Sequence, residues 1–287
     1  MGALFKLIRI KHWVKNTFLF IPLFFAGEIG STERIIDLIQ GFLCFSFTAS
    51  AIYIINDLRD LEQDKLHPIK KLRPLASGAI SKNTARVIVF VFLSAIIWAY
   101  FLQYQFFFLL LTYFIINLLY SFGMKNISIV DLFMVASGFL IRVLSGGVLA
   151  QVPITQWLLV MISLLALFLV LAKRRDDILL YHKNGKTIRK ASSNYTLEYV
   201  NVCMTMLSAV MIVAYIMYSI SDDVMNRLGS ENVYITAVFV VAGLMRYMQI
   251  AIVEGDSGSP TKILFRDKFI ITTLILWALT FYLIIYF

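Results

Sequence analysis

The chain has 287 residues, of which 60% are hydrophobic and only 15% are charged, and its mean hydropathy is +0.81. Soluble domains carry about 25% charged residues, so this composition excludes a water-soluble globular protein and indicates an integral membrane protein. The formal net charge of +9 needs no nucleic acid to explain it, because anionic lipid headgroups or phosphorylated substrates are sufficient partners.

Nine apolar segments come close to the roughly 20 residues that a helix needs to cross a bilayer. The first is the weakest, because Pro22 interrupts it and Glu28 stands near its end. A signal peptide is the alternative for this segment, but no small-residue cleavage site precedes the next apolar run. We therefore predict an all-α, polytopic membrane protein with nine transmembrane helices. Their approximate spans are 14–30, 35–56, 84–102, 105–122, 130–150, 155–172, 200–220, 232–252 and 269–287.

The positions of lysine and arginine predict the orientation of these helices. With the N-terminus in the cytoplasm, every Lys and Arg except Arg34, Arg142 and Arg227 falls on the cytoplasmic side, as the positive-inside rule requires. The outward connections are short, whereas most inward ones are longer and charged, so we expect function on the cytoplasmic face. No segment resembles a second soluble domain, and we predict a single membrane-embedded domain over residues 1–287.

An acidic stretch, NDLRDLEQD at residues 56–64, follows the second apolar segment directly. If helix 2 continues for two turns beyond Asn56, the aspartates at 57, 60 and 64 fall on one face. Carboxylates on one face repel each other unless a cation lies among them, and Mg²⁺ is usually held by one or two carboxylates plus substrate phosphates. The alternative is a solvated helix end whose carboxylates pair with Arg59, Lys65 or Lys70, but ionisable groups at membrane depth favour a functional site. We predict Asp57, Asp60 and Asp64 as catalytic residues, and Asn56, Asp60 and Asp64 as Mg²⁺ ligands.

The string NDLRDLEQD fits the Asn-Asp-x-x-Asp-x-x-x-Asp motif of the UbiA-type intramembrane transferases, and it follows helix 2 as it does there. Within that superfamily the chain most resembles the decaprenyl-phosphate phosphoribosyltransferases and related bacterial enzymes. The similarity covers about residues 8 to 200, while the last three helices match only in number and hydrophobicity. The supporting strings are RIKHWVKN, HPIKKLRPLASG, YSFGMKNISIVD, IRVLSGG and LAKRRDD.

The resemblance implies a UbiA-like helical bundle, a Mg²⁺ cofactor and transfer to or from a prenyl lipid. Ordinary members of the superfamily transfer a prenyl group to an aromatic ring, and they carry a second aspartate-rich motif after helix 6. Here that position reads KRRDD at residues 173–177, so three cations precede only two carboxylates. The departure favours additional phosphates, with phosphoribosyl diphosphate as donor and polyprenyl phosphate as acceptor. Asp176 and Asp177 remain as a second acidic site.

Each phosphate group needs charge-assisted donors, which lysine and arginine supply. Positive-inside topology alone explains about half of the cytoplasmic cations. Arg142 lies within a helix, where a buried guanidinium needs an anion; it is either the partner of a carboxylate or a phosphate ligand, and we favour the ligand. Tyr53 precedes Asn56 by three residues and is expected to face the site, although an aromatic belt also explains a tyrosine near a helix end. We predict Lys15, Tyr53, Asn56, Lys70, Arg73, Lys125 and Arg142 as donor-binding residues, and Lys173, Arg174 and Arg175 as polyprenyl phosphate-binding residues.

These features predict a Mg²⁺-dependent glycosyltransferase of the bacterial inner membrane whose active site faces the cytoplasm. Its reaction is transfer of the 5-phosphoribosyl group to a polyprenyl phosphate with release of diphosphate, in cell envelope biosynthesis. One alternative is prenyl transfer from a prenyl diphosphate to an aromatic acceptor. Another is a lipid or solute transporter, which the concentration of charge at one interface disfavours. The predicted partners are the two substrates and the membrane, without nucleic acid, and the sequence leaves a homo-oligomer open.

Overall fold

The computed structural model describes residues 2–66, 70–184, 190–255, 263 and 266–286. Within these residues the chain forms helices, turns and loops, and none of them lies in a β-strand. Short 3₁₀ helices span Ile10–Phe20, Lys70–Leu72, Met124–Asn126, Lys190–Asn194 and Asn232–Thr236. The α-helices are α1 (Ala3–Leu7), α2 (Ile21–Phe25), α3 (Thr32–Arg59), α4 (Leu61–Leu66), α5 (Lys82–Leu102), α6 (Tyr104–Phe122), α7 (Val130–Ala150), α8 (Gln156–Asn184), α9 (Leu197–Ser219), α10 (Asp222–Leu228), α11 (Ala237–Ile252) and α12 (Lys268–Tyr286).

Eight helical segments in the described part of the chain are long and apolar enough to cross a membrane. They coincide with the second to ninth spans predicted from hydropathy, so the all-α, multi-pass class is confirmed. The segments are Thr32–Arg59, Lys82–Leu102, Tyr104–Phe122, Val130–Ala150, Gln156–His182, Leu197–Ser219, Asn232–Ile252 and Lys268–Ile285.

The first predicted span, residues 14–30, folds differently from the other eight. It begins as the 3₁₀ helix Ile10–Phe20, which has 11 residues, and continues as the 5-residue helix α2 with a proline in its first turn. Placed end to end, these segments reach about 30 Å at rises of about 2.0 and 1.5 Å per residue, which equals the thickness of the hydrocarbon core. The count of nine crossings therefore stays a prediction.

The length of this 3₁₀ helix is explained by its match to α3. Three residues of a 3₁₀ helix and four residues of an α-helix both advance about 6 Å, so side chains at these spacings stay opposite each other. Trp13 Nε1 donates to Ser50 Oγ at 3.1 Å. One turn further along, Asn16 Nδ2 donates to Ser46 Oγ at 2.9 Å. Leu19 occupies the next equivalent position and is fully buried.

The chain folds into two compact units, and the first comprises Met1–Gly123 and Gly138–Ile154. Its main core is formed by α3, α5, α6 and the second half of α7, and it includes Phe45, Phe106 and Leu110. A smaller core lies where the chain folds back after α3, and it consists of Leu7, Ile8, Ile54, Leu61, Leu75 and Ala85.

The second unit comprises Met124–Ser137 and Thr155–Phe287. Apolar residues of α7, α8, α9, α11 and α12 form its core, among them Phe168, Met204 and Tyr247. The prediction of one domain concerns the whole chain and stays a prediction.

Helix α8 continues well beyond the predicted span 155–172 and ends at Asn184. The KRRDD segment, expected in the loop after this span, therefore lies inside a helix. The continuous apolar run ends at Ala172, but the helix does not, because Lys, Arg and Leu are all good helix formers. A pair between Arg174 and Asp177, three residues apart, further stabilises this part of α8.

Candidate active site

The acidic stretch forms a bend between α3 and α4. Helix α3 ends at Arg59, Asp60 adopts φ −86° and ψ 8°, and α4 begins at Leu61. Backbone hydrogen bonds continue through the bend, because the Asp60 N–H donates to the Asn56 carbonyl at 3.0 Å and the Asp64 N–H donates to the Asp60 carbonyl at 2.8 Å. The two further helical turns predicted from the sequence are thus present, but with an interruption at Asp60.

Two carboxylates of this stretch, Asp57 and Asp64, are buried and share one cation. Arg73 Nη1 donates to Asp57 Oδ1 at 3.1 Å and to Asp64 Oδ2 at 2.6 Å. Arg9 Nη2 donates to the same oxygen of Asp57 at 2.7 Å. Lys70 Nζ lies 3.8 Å from Asp64 Oδ1. We call these five residues the acidic site, and it contains one more cation than it has carboxylates.

A compact loop between α4 and α5 places Arg73 at the acidic site. The Arg73 N–H donates to the Lys70 carbonyl at 2.9 Å, and the Ser77 N–H donates to the Arg73 carbonyl at 2.9 Å. Leu75 anchors the loop, because it is buried together with Leu61 in the smaller core of the first unit. The apolar residues of an otherwise basic loop therefore determine where its guanidinium group points.

Arg9 belongs to the acidic site, although the sequence reasoning selected only Lys15 from the string RIKHWVKN. The Arg9 guanidinium lies over the ring of Tyr53, 4.4 Å from its centroid, which places that predicted donor-binding residue beside the acidic site. Lys15 instead lies 5.8 Å from the ring centroid of Phe139. In the sequence, only the motif RIKHWVKN pointed to Arg9. A single arginine near an N-terminus otherwise indicates no more than the positive-inside pattern.

Other cations of the acidic stretch have partners elsewhere. Arg59 donates to the Ser121 carbonyl and lies over the Phe122 ring, 4.7 Å from its centroid. Lys65 pairs with Glu62 at 3.0 Å, and this exposed hydrogen bond lowers the pKa of the Glu62 carboxyl. The alternative of a solvated helix end therefore describes this surface pair, but it does not describe the buried carboxylates.

Arg142 is buried in the first unit and binds three neutral groups. Its Nε donates to Asn16 Oδ1 at 2.7 Å and its Nη2 to the Tyr113 hydroxyl at 2.9 Å. Its Nη1 donates to the Gly138 carbonyl at 2.6 Å. Among the described residues no carboxylate pairs with Arg142, so its charge is uncompensated there. Arg142 also lies within electrostatic reach of Tyr53, and its role as a phosphate ligand stays a prediction.

The acidic site can hold a Mg²⁺ ion only with help from a substrate. No group of three or more His, Cys, Asp or Glu side chains among the described residues is placed to hold a metal. Mg²⁺ does not need such a group, since it is usually bound by one or two carboxylates, several waters and substrate phosphates. Asp57 and Asp64 provide two buried carboxylates close to one position, which fits this mode. Asn56 and Asp60 are half-buried beside them, and their assignment as ligands stays a prediction.

A second polar group lies in the second unit around Arg174, which is fully buried. Its Nη2 lies 2.7 Å from Asp131 Oδ2, and its Nη1 lies 3.1 Å from Asp177 Oδ2. The Tyr195 hydroxyl donates to Asp131 Oδ1 at 3.4 Å and accepts the Ile129 N–H. Burial raises the pKa of the Tyr195 hydroxyl. We call Asp131, Arg174, Asp177 and Tyr195 the Arg174 cluster; Asp131 and Tyr195 were not predicted from the sequence.

The other predicted residues of the second unit are arranged differently. Arg175 is 5% exposed, and its Nε donates to Asn201 Oδ1 at 2.8 Å, whereas its Nη1 has no hydrogen-bond partner among the described residues. Lys173 is exposed, and Asp176 and Lys125 are half-buried. Buried donors are nearly always paired, so this nitrogen of Arg175 is a candidate donor to an anionic ligand.

Comparison with known proteins agrees with the helical fold. The sequence profile of the UbiA prenyltransferase family matches residues 17–184, which is more than half of the chain. The chain belongs to the UbiA prenyltransferase family. A relative from Mycolicibacterium smegmatis named decaprenyl-phosphate phosphoribosyltransferase is 30% identical, and the match covers 100% of this chain and 93% of the relative. A Corynebacterium glutamicum relative of the same name is also 30% identical, with coverage of 99% and 87%.

A solved UbiA structure shows the same fold. The UbiA homologue from Archaeoglobus fulgidus, bound to GPP and Mg²⁺, superposes with a TM-score of 0.70 at 20% identity, and the match covers 99% of both chains. This UbiA protein is therefore a multi-pass membrane transferase. Family membership also argues against the transporter alternative.

Proposed function

We propose that this UbiA protein transfers the 5-phosphoribosyl group from phosphoribosyl diphosphate to a decaprenyl-type polyprenyl phosphate and releases diphosphate. The cations of the acidic site carry the proposal, because Arg9, Lys70 and Arg73 converge on the two buried carboxylates of Asp57 and Asp64. Phosphoribosyl diphosphate has a 5-phosphate besides its diphosphate, so it needs more cationic donors than a prenyl diphosphate. The full-length similarity to relatives named decaprenyl-phosphate phosphoribosyltransferase supports the same reaction.

Mg²⁺ is the proposed cofactor, held by the acidic site and by Asn56 and Asp60. Carboxylate and amide oxygens are suitable ligands for this hard cation, and the Mg²⁺ bound in the Archaeoglobus fulgidus homologue supports the choice. A bound ion of this kind neutralises charge that develops on a diphosphate leaving group. Arg9 and Arg73 add charge-assisted donors from the protein, with a fork geometry that suits phosphate oxygens.

The proposed reaction exchanges one bond at the ribose C1 for another. The bond from C1 to the diphosphate oxygen breaks, and its electron pair leaves with diphosphate. An oxygen of the polyprenyl phosphate forms the new bond to C1. This oxygen is already anionic at neutral pH, so no general base is required. The side chains at the acidic site accordingly bind and orient phosphates and stabilise negative charge.

The acceptor phosphate is assigned to the KRRDD segment of α8. Within the described part of the chain Arg175 carries a buried nitrogen without a hydrogen-bond partner, and Lys173 is an exposed cation two residues before it. Arg174 was predicted for the same role, but its donors are directed at Asp131 and Asp177. We therefore propose that Lys173 and Arg175 contact the phosphate and that Arg174 keeps this part of α8 in place.

The proposed location is a bacterial inner membrane, with the acidic site on the cytoplasmic side. Nearly all lysine and arginine residues lie on one side of the predicted topology, which supports this orientation. The water-soluble donor then reaches the site from the cytoplasm, and the lipid acceptor reaches it laterally from the bilayer.

A product assay tests the proposed function. Purified protein is incubated with Mg²⁺, phosphoribosyl diphosphate and decaprenyl phosphate, and the lipid fraction is analysed by mass spectrometry. We expect a phosphoribosyl lipid and stoichiometric diphosphate, and Asp60→Asn is expected to abolish the product while the protein remains folded. Absence of product with polyprenyl phosphates of every length tested would contradict the proposal.

Prenyl transfer remains the second candidate, because the Archaeoglobus fulgidus homologue is bound to GPP. The cations of the acidic site and those of the KRRDD segment both argue against prenyl transfer. Incubation with a prenyl diphosphate and an aromatic acceptor distinguishes the two reactions. A prenylated aromatic product, formed without phosphoribosyl lipid in the parallel assay, would reverse the ranking.

A further inference from the structure

A single nitrogen of Arg73 lies between the two buried carboxylates of the acidic site. Its Nη1 is 3.1 Å from Asp57 Oδ1 and 2.6 Å from Asp64 Oδ2. The two oxygens are therefore less than about 6 Å apart, and a Mg²⁺ ion with ligands at about 2.1 Å would draw them within about 4 Å of each other. The guanidinium nitrogen thus lies where a metal ion shared by both carboxylates would lie.

Two cations cannot occupy this position together. Both carboxylates are almost completely buried, and two buried negative charges close together require a counter-ion. Arg73 supplies that charge, yet its side chain is 28% exposed, so the guanidinium has space to leave toward solvent. Asp57 would still hold Arg9, and Asp64 would still have Lys70 nearby.

We propose that Arg73 is an internal stand-in for the metal ion. In the metal-free protein its guanidinium bridges Asp57 and Asp64, and it leaves this position when a divalent cation binds. The released guanidinium then contacts a phosphate of the donor, so one residue serves two successive partners. This inference rests on the metal-binding part of the proposed function and does not depend on which group the enzyme transfers.

The exchange of Arg73 for a metal ion predicts that one substitution at Arg73 changes the metal affinity and the donor affinity in opposite directions. Arg73→Gln removes the competitor for the carboxylates, so a divalent cation should bind more tightly in the absence of donor. The same substitution removes a phosphate contact, so the donor should bind more weakly once the metal is present. A residue with a merely structural role would weaken both.

Lys71→Gln is the matched control. Lys71 lies in the same 3₁₀ turn as Lys70, carries the same charge as Arg73 and is exposed. The control removes one positive charge from the same loop without removing a contact to the acidic site. It therefore measures how much of any change comes from general electrostatic repulsion of the metal. Arg73→Lys keeps the charge but loses the reach and the planar fork, and it serves as a second variant if Arg73→Gln does not fold.

The experiment uses Mn²⁺ as a probe for the divalent site in the purified full chain, without donor or acceptor. Free Mn²⁺ is measured by electron paramagnetic resonance over a titration. We expect Arg73→Gln to bind Mn²⁺ about tenfold more tightly than the wild type, which corresponds to the loss of one charged hydrogen bond, while Lys71→Gln changes the affinity less than about twofold. Arg73→Lys should lie between the wild type and Arg73→Gln.

Thermal unfolding gives a second readout on the same samples. Without metal, Arg73→Gln should unfold at a lower temperature than the wild type, because its two carboxylates lack their bridge. Added Mg²⁺ should raise the unfolding temperature of Arg73→Gln more than that of the wild type.

Calorimetric titration completes the test at saturating Mg²⁺, where Arg73→Gln should bind phosphoribosyl diphosphate about tenfold more weakly. The inference is overturned if Arg73→Gln binds Mn²⁺ no more tightly than the wild type, or if Lys71→Gln changes the affinity equally. The Mn²⁺ titration contains no substrate, so a failed product assay would count against the proposed reaction and not against the exchange.

Discussion

Arg9 combines a contact to the acidic site with an unusual backbone conformation. Its φ of 54° and ψ of 48° lie in the left-handed region, which non-glycine residues adopt at a cost of about 1 kcal/mol or more. The conformation ends α1 and begins the 3₁₀ helix, and the side chain reaches Asp57 across 48 positions of sequence. A strained residue with its side chain on a buried carboxylate fits a binding role better than a purely structural one.

Arg9→Gln is expected to lower the affinity for phosphoribosyl diphosphate by about 10- to 150-fold, because one charged hydrogen bond is worth about 1.5–3 kcal/mol. Lys11→Gln is the control, since Lys11 is exposed and only two residues away. The measurement is the KM for the donor at saturating Mg²⁺ and acceptor. Equal KM values for both variants would show that Arg9 does not contact the donor.

The buried network of Arg142 predicts a strong coupling with Asn16. Removing either residue leaves a buried polar partner without its hydrogen bond, which costs about 1–3 kcal/mol. In a double-mutant cycle with Arg142→Ala and Asn16→Ala, we expect a coupling energy of similar size in the unfolding free energy. The exposed pair Arg86 and Asn83, 3.2 Å apart, is the control and should show a coupling below about 0.5 kcal/mol. Additive effects at Arg142 and Asn16 would contradict the network.

Tyr195 predicts a pH dependence in the second unit. Burial raises the pKa of its hydroxyl, and the nearby Asp131 carboxylate acts in the same direction, while the hydrogen bond from Ile129 opposes it. The hydroxyl therefore contributes fully to stability below the ordinary tyrosine pKa of about 10, and the contribution is lost as the pH rises through the raised pKa. Tyr195→Phe should thus unfold at a lower temperature than the wild type at pH 7.5, with a smaller difference above pH 10.

The exposed neighbour Tyr199, whose ring stacks on Tyr195 with a centroid distance of 5.7 Å, provides the control for this pH dependence. Tyr199→Phe should retain most of the wild-type alkaline destabilisation, because Tyr199 is exposed. An alkaline loss that is the same in wild type and Tyr195→Phe would exclude Tyr195 as its source.

The sequence could predict individual site residues where they share a helix, and it could not predict partners from distant segments. The spacing of Asp57 and Asp64 indicated a common face, and both are buried and bind the same nitrogen of Arg73. The contacts of Arg9 with Asp57 and of Arg174 with Asp131 depend on how separate helices pack. A single sequence carries no direct information about such packing.

At the scale of whole elements, hydropathy predicted the long helices well and the first one poorly. A run of apolar residues reports burial in lipid or protein, but over sixteen residues it does not distinguish 3.0 from 3.6 residues per turn. The 3₁₀ form of Ile10–Phe20 depends on its register with α3, which only the folded structure reveals. Hydropathy did not predict the extension of α8, because charged residues end an apolar run without ending a helix.

The packing of α7 on the N-terminal segment predicts a sharp requirement for Gly146. A Cβ on Gly146 would lie 2.0 Å from the Leu19 carbonyl oxygen, and backbone atoms cannot move aside as a flexible side chain can. Gly146→Ala should destabilise the protein by about 1–3 kcal/mol or more, as overpacked cores do. Gly243→Ala is the control within α11, where the nearest atom to a Cβ is 3.8 Å away.

Gly243→Ala should be neutral or slightly stabilising, since alanine favours the helix over glycine by about 1 kcal/mol. Thermal unfolding of both variants in detergent provides the comparison. Equal unfolding temperatures for Gly146→Ala and the wild type would mean that α7 and the 3₁₀ helix do not approach so closely.

At the scale of the whole molecule, the N-terminal segment decides whether the chain crosses the membrane eight or nine times. Eight segments qualify by length and composition. The ninth must come from Ile10–Phe25, which suffices only because a 3₁₀ helix is longer per residue than an α-helix. The positive-inside pattern favours this crossing, because Lys6, Arg9 and the basic loop after α4 then lie on the same side.

Nine crossings place Lys6 and Gly30 on opposite sides of the membrane, whereas eight crossings place them on the same side. Both positions are exposed, and a side chain at Gly30 would meet no atom within 4 Å, so Lys6→Cys and Gly30→Cys can be labelled without distorting the fold. With Cys203 replaced by alanine and the buried Cys44 retained, a membrane-impermeant maleimide applied to the outside of intact cells should label Gly30→Cys alone. Lys71→Cys and Gln105→Cys provide inside and outside references, and labelling of Lys6→Cys in intact cells, together with Gly30→Cys, would reduce the count to eight.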